Sequence, residues 1–518
     1  MPYDGVPVIQ IEAGREGQWG LRNRNAIPLG GLITLRNATL EDHTWRMGGG
    51  AVKLGDAIGT LTIQAAIDFW VNATTQRTLV ALSDGSLRKD NGSGASWASL
   101  ASGLTTSGQV SHWTLGGQES AGRARKAFHC DRVNAVRVLS GDGASMTTLA
   151  NPPADWSGAN QPGFSLVARG ALWAGGNANA PHRLYRSLVA DHEDFLTFPY
   201  NLEIAGPGER LVAGLPYKGG ILLWKYPEGV YFVDLADPSD QAWRYYQVGQ
   251  AGCRGPCNAA LVEDDVIWID PNGGWHAISA TQATGSVRAS DLSTRKLGSW
   301  FRDTVNRDEF ATAQLVYYAN KQEVPFACAG QGQTAKNRRV VLDVGRPEQG
   351  ARWHYWDRDR NECLFLRKVA GVQRLAMGDA VGQLWMLDDA TRSADGAGYG
   401  FEWFLKDTDF SEVVPEWSGR KKNLRFLQLE YDPRGTSTHQ VSVYADGVLR
   451  QTIAFTLDPR GAVLPVTLPF VLGMETLVAT PRRRLRGQGT RIALQGLSSG
   501  ANHDVSIARV LIGLEAAE

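Results

Sequence analysis

The sequence predicts an all-β protein, and three observations lead to this fold class. Glycine and tryptophan are abundant, with 59 and 17 of the 518 residues, which is typical of many short strands joined by tight turns. A hairpin pattern recurs along the middle of the chain, and a longer alternating pattern follows a small polar linker. We therefore predict an extended N-terminal arm (1–54), a β-propeller (55–390) and a β-sandwich (400–518).

The arm is predicted because its residues show little periodicity. Gly30-Gly31 and Gly48-Gly49-Gly50 interrupt its polar runs. A segment of this kind cannot bury its own apolar side chains, so we expect it to pack on something other than itself.

The propeller is predicted from a repeated unit in which a Gly, Asp or Asn turn separates two short β-rich runs. The clearest units are ALWAGGNANAPHRLYRS (171–187), ILLWKYPEGVYFVD (221–234) and VIWIDPNGGWHAIS (266–279). Their turns lie about 45 to 50 residues apart, the period of a four-stranded propeller blade. A single hairpin cannot bury both faces, and the region is long enough for six to seven blades.

The sandwich is predicted from the segments that follow the linker DDATRSADGAGYG (388–400). In HQVSVYADGVLRQTIAFTL (439–457), apolar and polar residues alternate on both sides of Asp446-Gly447. Because glycine tolerates positive φ, this dipeptide predicts a two-residue hairpin turn. The half-buried antiparallel pattern is typical of a β-sandwich.

Charge and composition exclude several classes of protein. Lys plus Arg and Asp plus Glu both number 53, which excludes a strongly basic nucleic-acid coat and an acidic solvating tail. No apolar run approaches the ~18 residues of a membrane-spanning helix, and the start lacks the regions of a secretory signal peptide. The five cysteines are expected to be reduced thiols, because an odd, sparse set without a secretion signal does not suit a disulfide framework.

Motifs that could carry catalysis or bind a metal lack the context that their chemistry needs. GLSSG (496–500) with His503 matches the nucleophile motif G-x-S-x-G, but strand patterns lie on both sides instead of a strand, a turn and a helix. CRGPC (253–257) lacks a second ligand pair, which favours a turn over a zinc site or a disulfide. DRDRNECLF (357–365) has Glu362 where a calcium loop needs glycine. We predict no catalytic, metal-binding or cofactor-binding residue, no cofactor and no enzymatic activity.

A turn at Asp90-Asn91-Gly92, followed by Trp97, resembles the Asp-box of sialidase propellers, although the tryptophan lies further along than in that family. The turn belongs to the fold there and is not catalytic. It keeps one alternative open, a propeller-type glycosidase or a carbohydrate-binding module. Such a protein would be expected to carry a secretion signal.

Four segments resemble parts of tailed-phage propeller proteins. ALWAGGNANAPHRLYRSLVADHEDF (171–195) combines an apolar strand with tryptophan, a loop, P-x-R-L-Y-x-S and an acidic tail, and forms two strands of one blade in those proteins. GGLITLRNATLEDHTWRMGGGAVKLG (30–55) is similar to their opening, where a loop of virion contacts precedes the first blade. FEWFLKDTDF (401–410) and R-x-x-G-x-G-x-R-I-x-L (484–494) are similar to their C-terminal run. The family is the podophage tail nozzle, also called the packaged-DNA stabilisation protein.

The resemblance implies a structural, non-enzymatic virion protein of a short-tailed phage. It implies a homohexameric ring below the portal and adaptor ring that extends the DNA channel, retains the packaged genome until ejection and attaches tail fibre, spike or needle proteins. Contact with genomic double-stranded DNA would be transient. The protein would be made in the host cytoplasm and reside in the virion tail. A receptor-binding or fibre protein is a competing class, but the β-helical repeats usual there are lacking.

The densest charge cluster, PRRRLRGQGTR (481–491), contains no acidic residue. It can be a solvated loop, a contact to an acidic neighbouring chain, or a contact to a nucleic-acid backbone. In a sixfold ring, loops facing the lumen would clamp DNA strongly and oppose its release, so we favour a contact to a neighbouring subunit or the adaptor. The candidate interface or DNA-channel residues are Arg482, Arg483, Arg484, Arg486 and Arg491.

Overall fold

The fold is nearly all β-structure. The computed structural model describes residues 6–13, 16–20, 26–41, 44–92, 96–117, 124–197, 199–237, 239–279, 292–293, 296–298, 300–346, 351–357, 361–458, 477–500 and 503–517. The helices described over their full length are a short α-helix, α1 (Trp300–Thr304), and single 3₁₀ turns at Asp240–Ala242, Arg307–Ala311, Ala319–Lys321 and Pro415–Trp417. Ala26, Ile278 and Ser279 are also helical.

The N-terminal segment forms short strands that join several different sheets. These strands are β1 (Val8–Glu12), β2 (Leu32–Arg36), β3 (Ala38–Glu41), β4 (Thr44–Met47) and β5 (Gly50–Lys53).

Antiparallel four-stranded sheets then follow one another along the chain. The first is formed by β6 (Ile63–Trp70), β7 (Gln76–Leu82), β8 (Leu87–Asp90) and β9 (Trp97–Ala101). The second is formed by β10 (His112–Leu115), β11 (Lys126–Cys130), β12 (Arg137–Ser140) and β13 (Thr147–Thr148). The third is formed by β14 (Phe164–Ala168), β15 (Ala171–Gly175), β16 (Arg183–Arg186) and β17 (Tyr200–Glu203). The fourth is formed by β18 (Arg210–Tyr217), β19 (Gly220–Tyr226), β20 (Glu228–Asp234) and β21 (Arg244–Ala251).

Three further units complete this series. The fifth has three described strands, β22 (Ala259–Val262), β23 (Asp265–Ile269) and β24 (Trp275–Ala277). The sixth is formed by β25 (Gln314–Leu315), β26 (Glu323–Cys328), β27 (Arg338–Asp343) and β28 (Arg352–Trp356). The seventh is formed by β29 (Cys363–Val369), β30 (Val372–Gly378), β31 (Leu384–Asp388) and the N-terminal strand β5.

These units are the blades of a propeller, which confirms the predicted fold class. Their first strands pack side by side in the order β6, β10, β14, β18, β22, β25 and β29, and β29 returns to β6. The described residues therefore form a closed ring of seven blades, at the upper end of the predicted range. Strand β5 pairs with β31 from Gly50 opposite Asp388 to Lys53 opposite Trp385. The seventh blade thus joins the two ends of the propeller segment, and opening the ring there requires breaking that pairing.

The described residues that follow the propeller form a β-sandwich together with strands of the arm. Its strands are β32 (Tyr399–Leu405), β33 (Lys422–Tyr431), β34 (Ser437–Ala445), β35 (Val448–Leu457), β36 (Val478–Ala479), β37 (Arg483–Arg484), β38 (Gln488–Gly489), β39 (Ile492–Gly500) and β40 (Ser506–Ala516). One sheet contains β3, β4, β40 and β33, with β1 beside β40 and the short strands β36, β37 and β38 along the outer side of β33. The facing sheet has the order β2, β32, β39, β34 and β35.

The arm is part of both units. Strands β1, β3 and β4 extend one sheet of the sandwich, β2 begins the other, and β5 closes the propeller. The predicted boundary at residue 54 therefore differs from the structure. The reason lies in β1 and β4, where Ile9, Ile11 and Trp45 are buried in the sandwich core. Trp45 packs against Trp403, with 5.4 Å between the ring centroids.

Propeller and sandwich share one continuous sheet. Strand β2 pairs in parallel with β28 of the sixth blade, with Arg36 opposite Tyr355, and antiparallel with β32 of the sandwich. An ion cluster strengthens the joint. Asp504 accepts hydrogen bonds from Arg46 Nε and Arg392 Nε, both at 3.0 Å. This carboxylate thereby connects the arm, the segment after the last blade and the sandwich.

Candidate functional site

The arginine cluster lies on the outer edge strand of one sandwich sheet. Strand β37 pairs with β33, which places Arg484 opposite Phe426 and Arg483 opposite Leu427. Successive side chains of a strand point to opposite faces, so neighbouring arginines of the run diverge. Leu485 is buried in the sandwich core and anchors the segment. The exposed arginines of this run are Arg482, Arg483, Arg484 and Arg486.

Arg482 is held in place by an aromatic ring. Its guanidinium lies over Phe426, 4.5 Å from the ring centroid, and its Nε lies 3.5 Å from Gln428 Oε1. Phe426 packs so closely on Gly513 that a Cβ there would lie 2.3 Å from the ring. The ring is therefore sandwiched between Gly513 and the cation, and cation–π attraction favours this position of the charge.

Arg491 has a different role from the rest of the predicted set. Its Nε donates to Asp407 Oδ2 at 2.8 Å, and its Nη2 donates to the Asp407 carbonyl oxygen at 2.7 Å. Its backbone N–H donates to Asp446 Oδ1 at 2.9 Å. Arg491 therefore stabilises the sandwich, and we exclude it from the candidate surface.

Arg450, which lies outside the predicted set, joins the cluster. The pairing of β34 with β35 shifts between Val443, opposite Gln451, and Tyr444, opposite Leu449. Arg450 is the extra residue at this bulge, and bulges redirect side chains. Its side chain runs past Gly487, whose φ of +121° favours glycine. Only the register between distant strands brings Arg450 here, and no local sequence signal indicates it.

We call Arg450, Arg482, Arg483, Arg484 and Arg486 the basic patch. No carboxylate of the described residues lies within 4.0 Å of any of these five guanidinium groups. Other arginines of the sandwich do have such partners, for example Arg425 with Glu515 and Arg509 with Glu430. The five arginines of the patch lie at neighbouring edges of the two sandwich sheets and carry positive charge without a carboxylate partner among the described residues.

Ser498 of the G-x-S-x-G motif lies within strand β39 and not at a strand-to-helix turn. The nearby His503 packs beside Gly500, whereas His439 Nδ1 lies 2.6 Å from Ser498 Oγ. The other ring nitrogen of His439, Nε2, accepts a hydrogen bond from Trp403 Nε1 at 3.0 Å.

These bonds decide the proton positions. An indole N–H can only donate, so the proton of neutral His439 sits on Nδ1 and points at Ser498 Oγ. The serine hydroxyl in turn donates to the Thr438 carbonyl oxygen at 3.2 Å. Burial lowers the pKa of His439 to about 3. The imidazole therefore cannot take the serine proton in this arrangement, and the pair links strands β34 and β39.

The described residues of the other candidate motifs lie in strands and connecting segments of the propeller. Cys253 and Cys257 are free thiols in the turn before β22, and burial raises the pKa of Cys257 to about 12. Asp357 forms an ion pair with Arg36 at 3.0 Å, while Asp359 lies outside the described residues. Asp90 Oδ1 accepts hydrogen bonds from backbone N–H groups of its own blade. Across the described ranges, no group of three or more His, Cys, Asp or Glu residues is arranged to hold a metal ion.

A cavity of about 720 Å³ lies at the joint between the arm, the propeller and the sandwich. Both signs of charge line it, including Arg46, Arg392 and Glu323. Glu323 is buried beside His354, with 3.9 Å between Oε1 and Nε2, and burial raises the pKa of Glu323 to about 7. The cavity walls are mostly paired charges, so we interpret this space as part of the joint.

Comparison with known proteins yields likenesses of fold only. No protein-family model and no curated protein matches the chain. Similar solved structures include the WD40 repeats of RRP9 (11% identity, TM-score 0.41, covering 66% of this chain and 99% of that one). Others are YCF48 bound to D1 peptide (10%, 0.40, 68% and 98%) and the computationally designed Ika8 protein (10%, 0.37, 65% and 99%). TM-scores below 0.5 are too low to indicate a function. The propeller is assigned from the order in which its strands pack.

Among the described residues, no helix is both long enough and apolar enough to cross a membrane.

Proposed function

We propose that the chain is a structural subunit of a short-tailed phage virion, and that copies of it form a homohexameric nozzle ring beneath the portal and adaptor ring. The ring would extend the DNA channel, retain the packaged genome through transient contacts with double-stranded DNA, and carry tail fibre, spike or needle proteins. Its place would be the virion tail, after synthesis in the host cytoplasm.

The observation that carries the proposal is where the family-like segments lie in the fold. Residues 171–195 supply β15 and β16, neighbouring strands of one blade. Residues 30–55 supply β2 to β5, which connect propeller and sandwich. Residues 484–494 supply the edge of one sandwich sheet and the start of an inner strand of the other. The first of these segments thus forms two neighbouring strands of one blade, which is what the resemblance implies for it and supports the proposal.

The joint between the two units supports a mechanical role in a channel. A channel subunit has to keep its parts in a fixed relation while DNA pushes against it. The shared sheet through β2, the closure of the propeller by β5 and the ion cluster at Asp504 all oppose movement of one unit on the other.

Electron microscopy of the purified full chain tests the proposal. Negative-stain class averages should show rings with a central pore and sixfold symmetry, and sedimentation should give the matching mass. A protein that stays monomeric at every concentration, alone and with the adaptor ring protein of the same phage, would contradict the proposed function.

A further inference from the structure

The basic patch combines unpartnered positive charge with exposed aliphatic side chains. Val448 and Leu449 directly precede Arg450 on β35 and are 54% and 51% exposed. They lie beside the hairpin turn at Asp446-Gly447, where φ is +52° and +77°. Aliphatic groups and a guanidinium group are therefore exposed next to each other along β35, which offers a partner two kinds of contact.

Two sheet edges meet at the patch and fix its backbone. Gln451 of β35 donates from Nε2 to the Arg484 carbonyl oxygen at 3.3 Å and accepts at Oε1 from the Arg486 backbone N–H at 3.2 Å. Leu485 lies buried between these two contacts. The backbone that carries the arginines is therefore ordered before any partner binds, which lowers the entropy cost of binding.

Like charges at this density favour an anionic partner. Exposed charges are screened beyond ~8–10 Å at physiological salt, so the cluster is tolerated in the free chain. Within the described residues, the Phe426 ring and Gln428 Oε1 contact the Arg482 side chain, and the Gln451 amide contacts the backbone of Arg484 and Arg486. Carboxylates of a partner would form charge-assisted, bidentate hydrogen bonds with the guanidinium groups.

We infer that the basic patch binds a carboxylate-rich, aliphatic segment of a partner protein. The exposed Val448 and Leu449 favour a protein over DNA, because a phosphate backbone offers little apolar surface for them to contact. The composition agrees, since arginine is enriched and lysine depleted in protein interfaces, and every cation of the patch is an arginine. This inference does not depend on the proposed ring.

Fluorescence anisotropy with the full chain tests the inference. The probes are a labelled glutamate-rich peptide with leucines at its centre, the same peptide with serines in place of the leucines, and labelled double-stranded DNA of random sequence. The patch variant carries four substitutions, Arg450→Gln, Arg483→Gln, Arg484→Gln and Arg486→Gln. It should bind the leucine peptide about tenfold or more weakly than the unmodified chain.

Matched variants separate the patch from general charge effects and from misfolding. Arg425→Gln and Arg509→Gln remove ion-paired arginines of the same sheet and should leave peptide affinity within about twofold. Arg450→Gln alone should weaken binding about threefold to fivefold, a partial loss of charge-assisted contacts. Replacing Val448 and Leu449 by asparagine should remove the preference for the leucine peptide. Circular dichroism checks that each variant folds.

Three outcomes would overturn the inference. One is unchanged peptide affinity in the patch variant. Another is equal weakening by the Arg425 and Arg509 controls. The last is that the chain binds DNA more tightly than the peptide, that the patch variant loses this DNA binding, and that replacing Val448 and Leu449 does not affect it. That result would show that the surface binds phosphate.

Discussion

Asp504→Asn should loosen the joint between propeller and sandwich. Asp504 Oδ2 accepts a hydrogen bond from Arg46 Nη2 at 2.8 Å, and Oδ1 accepts from Nε of both Arg46 and Arg392 at 3.0 Å. The Arg392 side chain is 5% exposed and that of Arg46 is 14% exposed. The substitution preserves volume but removes the charge that these two nearly buried cations face.

The structure sets the size of the effect. Removing one partner of a buried ion pair costs ~3–5 kcal/mol. Arg46 keeps an ion pair with Glu41 at 2.5 Å, and Arg392 keeps the carbonyl oxygens of Asp389 and Thr391. We therefore expect the lower end, about 3 kcal/mol, which raises the local opening equilibrium roughly 150-fold.

Hydrogen exchange measures this opening. The amides of β4 should exchange faster in the variant, whereas those of the third blade should not change. Glu515→Gln is the control, because Glu515 and its partner Arg425 are about half exposed and such pairs contribute at most about 1 kcal/mol. Acceleration of β4 exchange by less than about fivefold would refute the reasoning, since water would then already solvate the cluster.

The same cluster predicts an acid-labile joint. Burial alone would raise the pKa of Asp504, but Arg46 and Arg392 outweigh it and lower the pKa. A carboxylate whose pKa is lower in the folded than in the unfolded protein stabilises the fold at every pH above its unfolded pKa, which is ~3.9 for aspartate. This stabilisation is lost as pH falls from the unfolded pKa through the folded pKa. Exchange in β4 of the unmodified protein should therefore accelerate below about pH 4, and Asp504→Asn should remove that dependence.

Three other substitutions test further parts of the structure. Burial raises the pKa of Glu323 to about 7, so ionisation of this side chain destabilises the fold as pH rises above its unfolded pKa of about 4.3. In urea unfolding, Glu323→Gln should raise the free energy of unfolding by up to about 3 kcal/mol at pH 8 and by little at pH 4. An equal gain at both pH values would contradict this. Ser498→Ala leaves His439 Nδ1–H without its buried acceptor and should cost about 1–3 kcal/mol; loss of a hydrolase activity at unchanged stability would oppose this interpretation. Gly48→Ala places a Cβ 2.0 Å from the Trp356 ring and should lower the stability of the fold by about 1–3 kcal/mol. Proteolysis near β5 should therefore be faster in this variant, and unchanged cleavage would show that the ring shifts freely.

Local sequence determined the strands and their turns. Asp446-Gly447 adopts the positive φ values that its hairpin requires, and alternation in the flanking strands gives the buried face of β34 and β35. The repeated hairpins likewise give successive propeller blades. These features depend on neighbours within a few residues, so the sequence by itself carries them.

Long-range register determined the rest. The sequence could not show that the arm closes the seventh blade, because β5 and β31 are separated by more than three hundred residues and either could pair elsewhere. It also could not bring Arg450 to the arginine run, remove Arg491 from it, or pair Ser498 with His439 instead of His503. Each of these contacts depends on which strands become neighbours. The neighbouring strands bury Trp45 and Leu485 in the sandwich core, and β5 and β31 bury Ala51 and Leu387 in a separate propeller core.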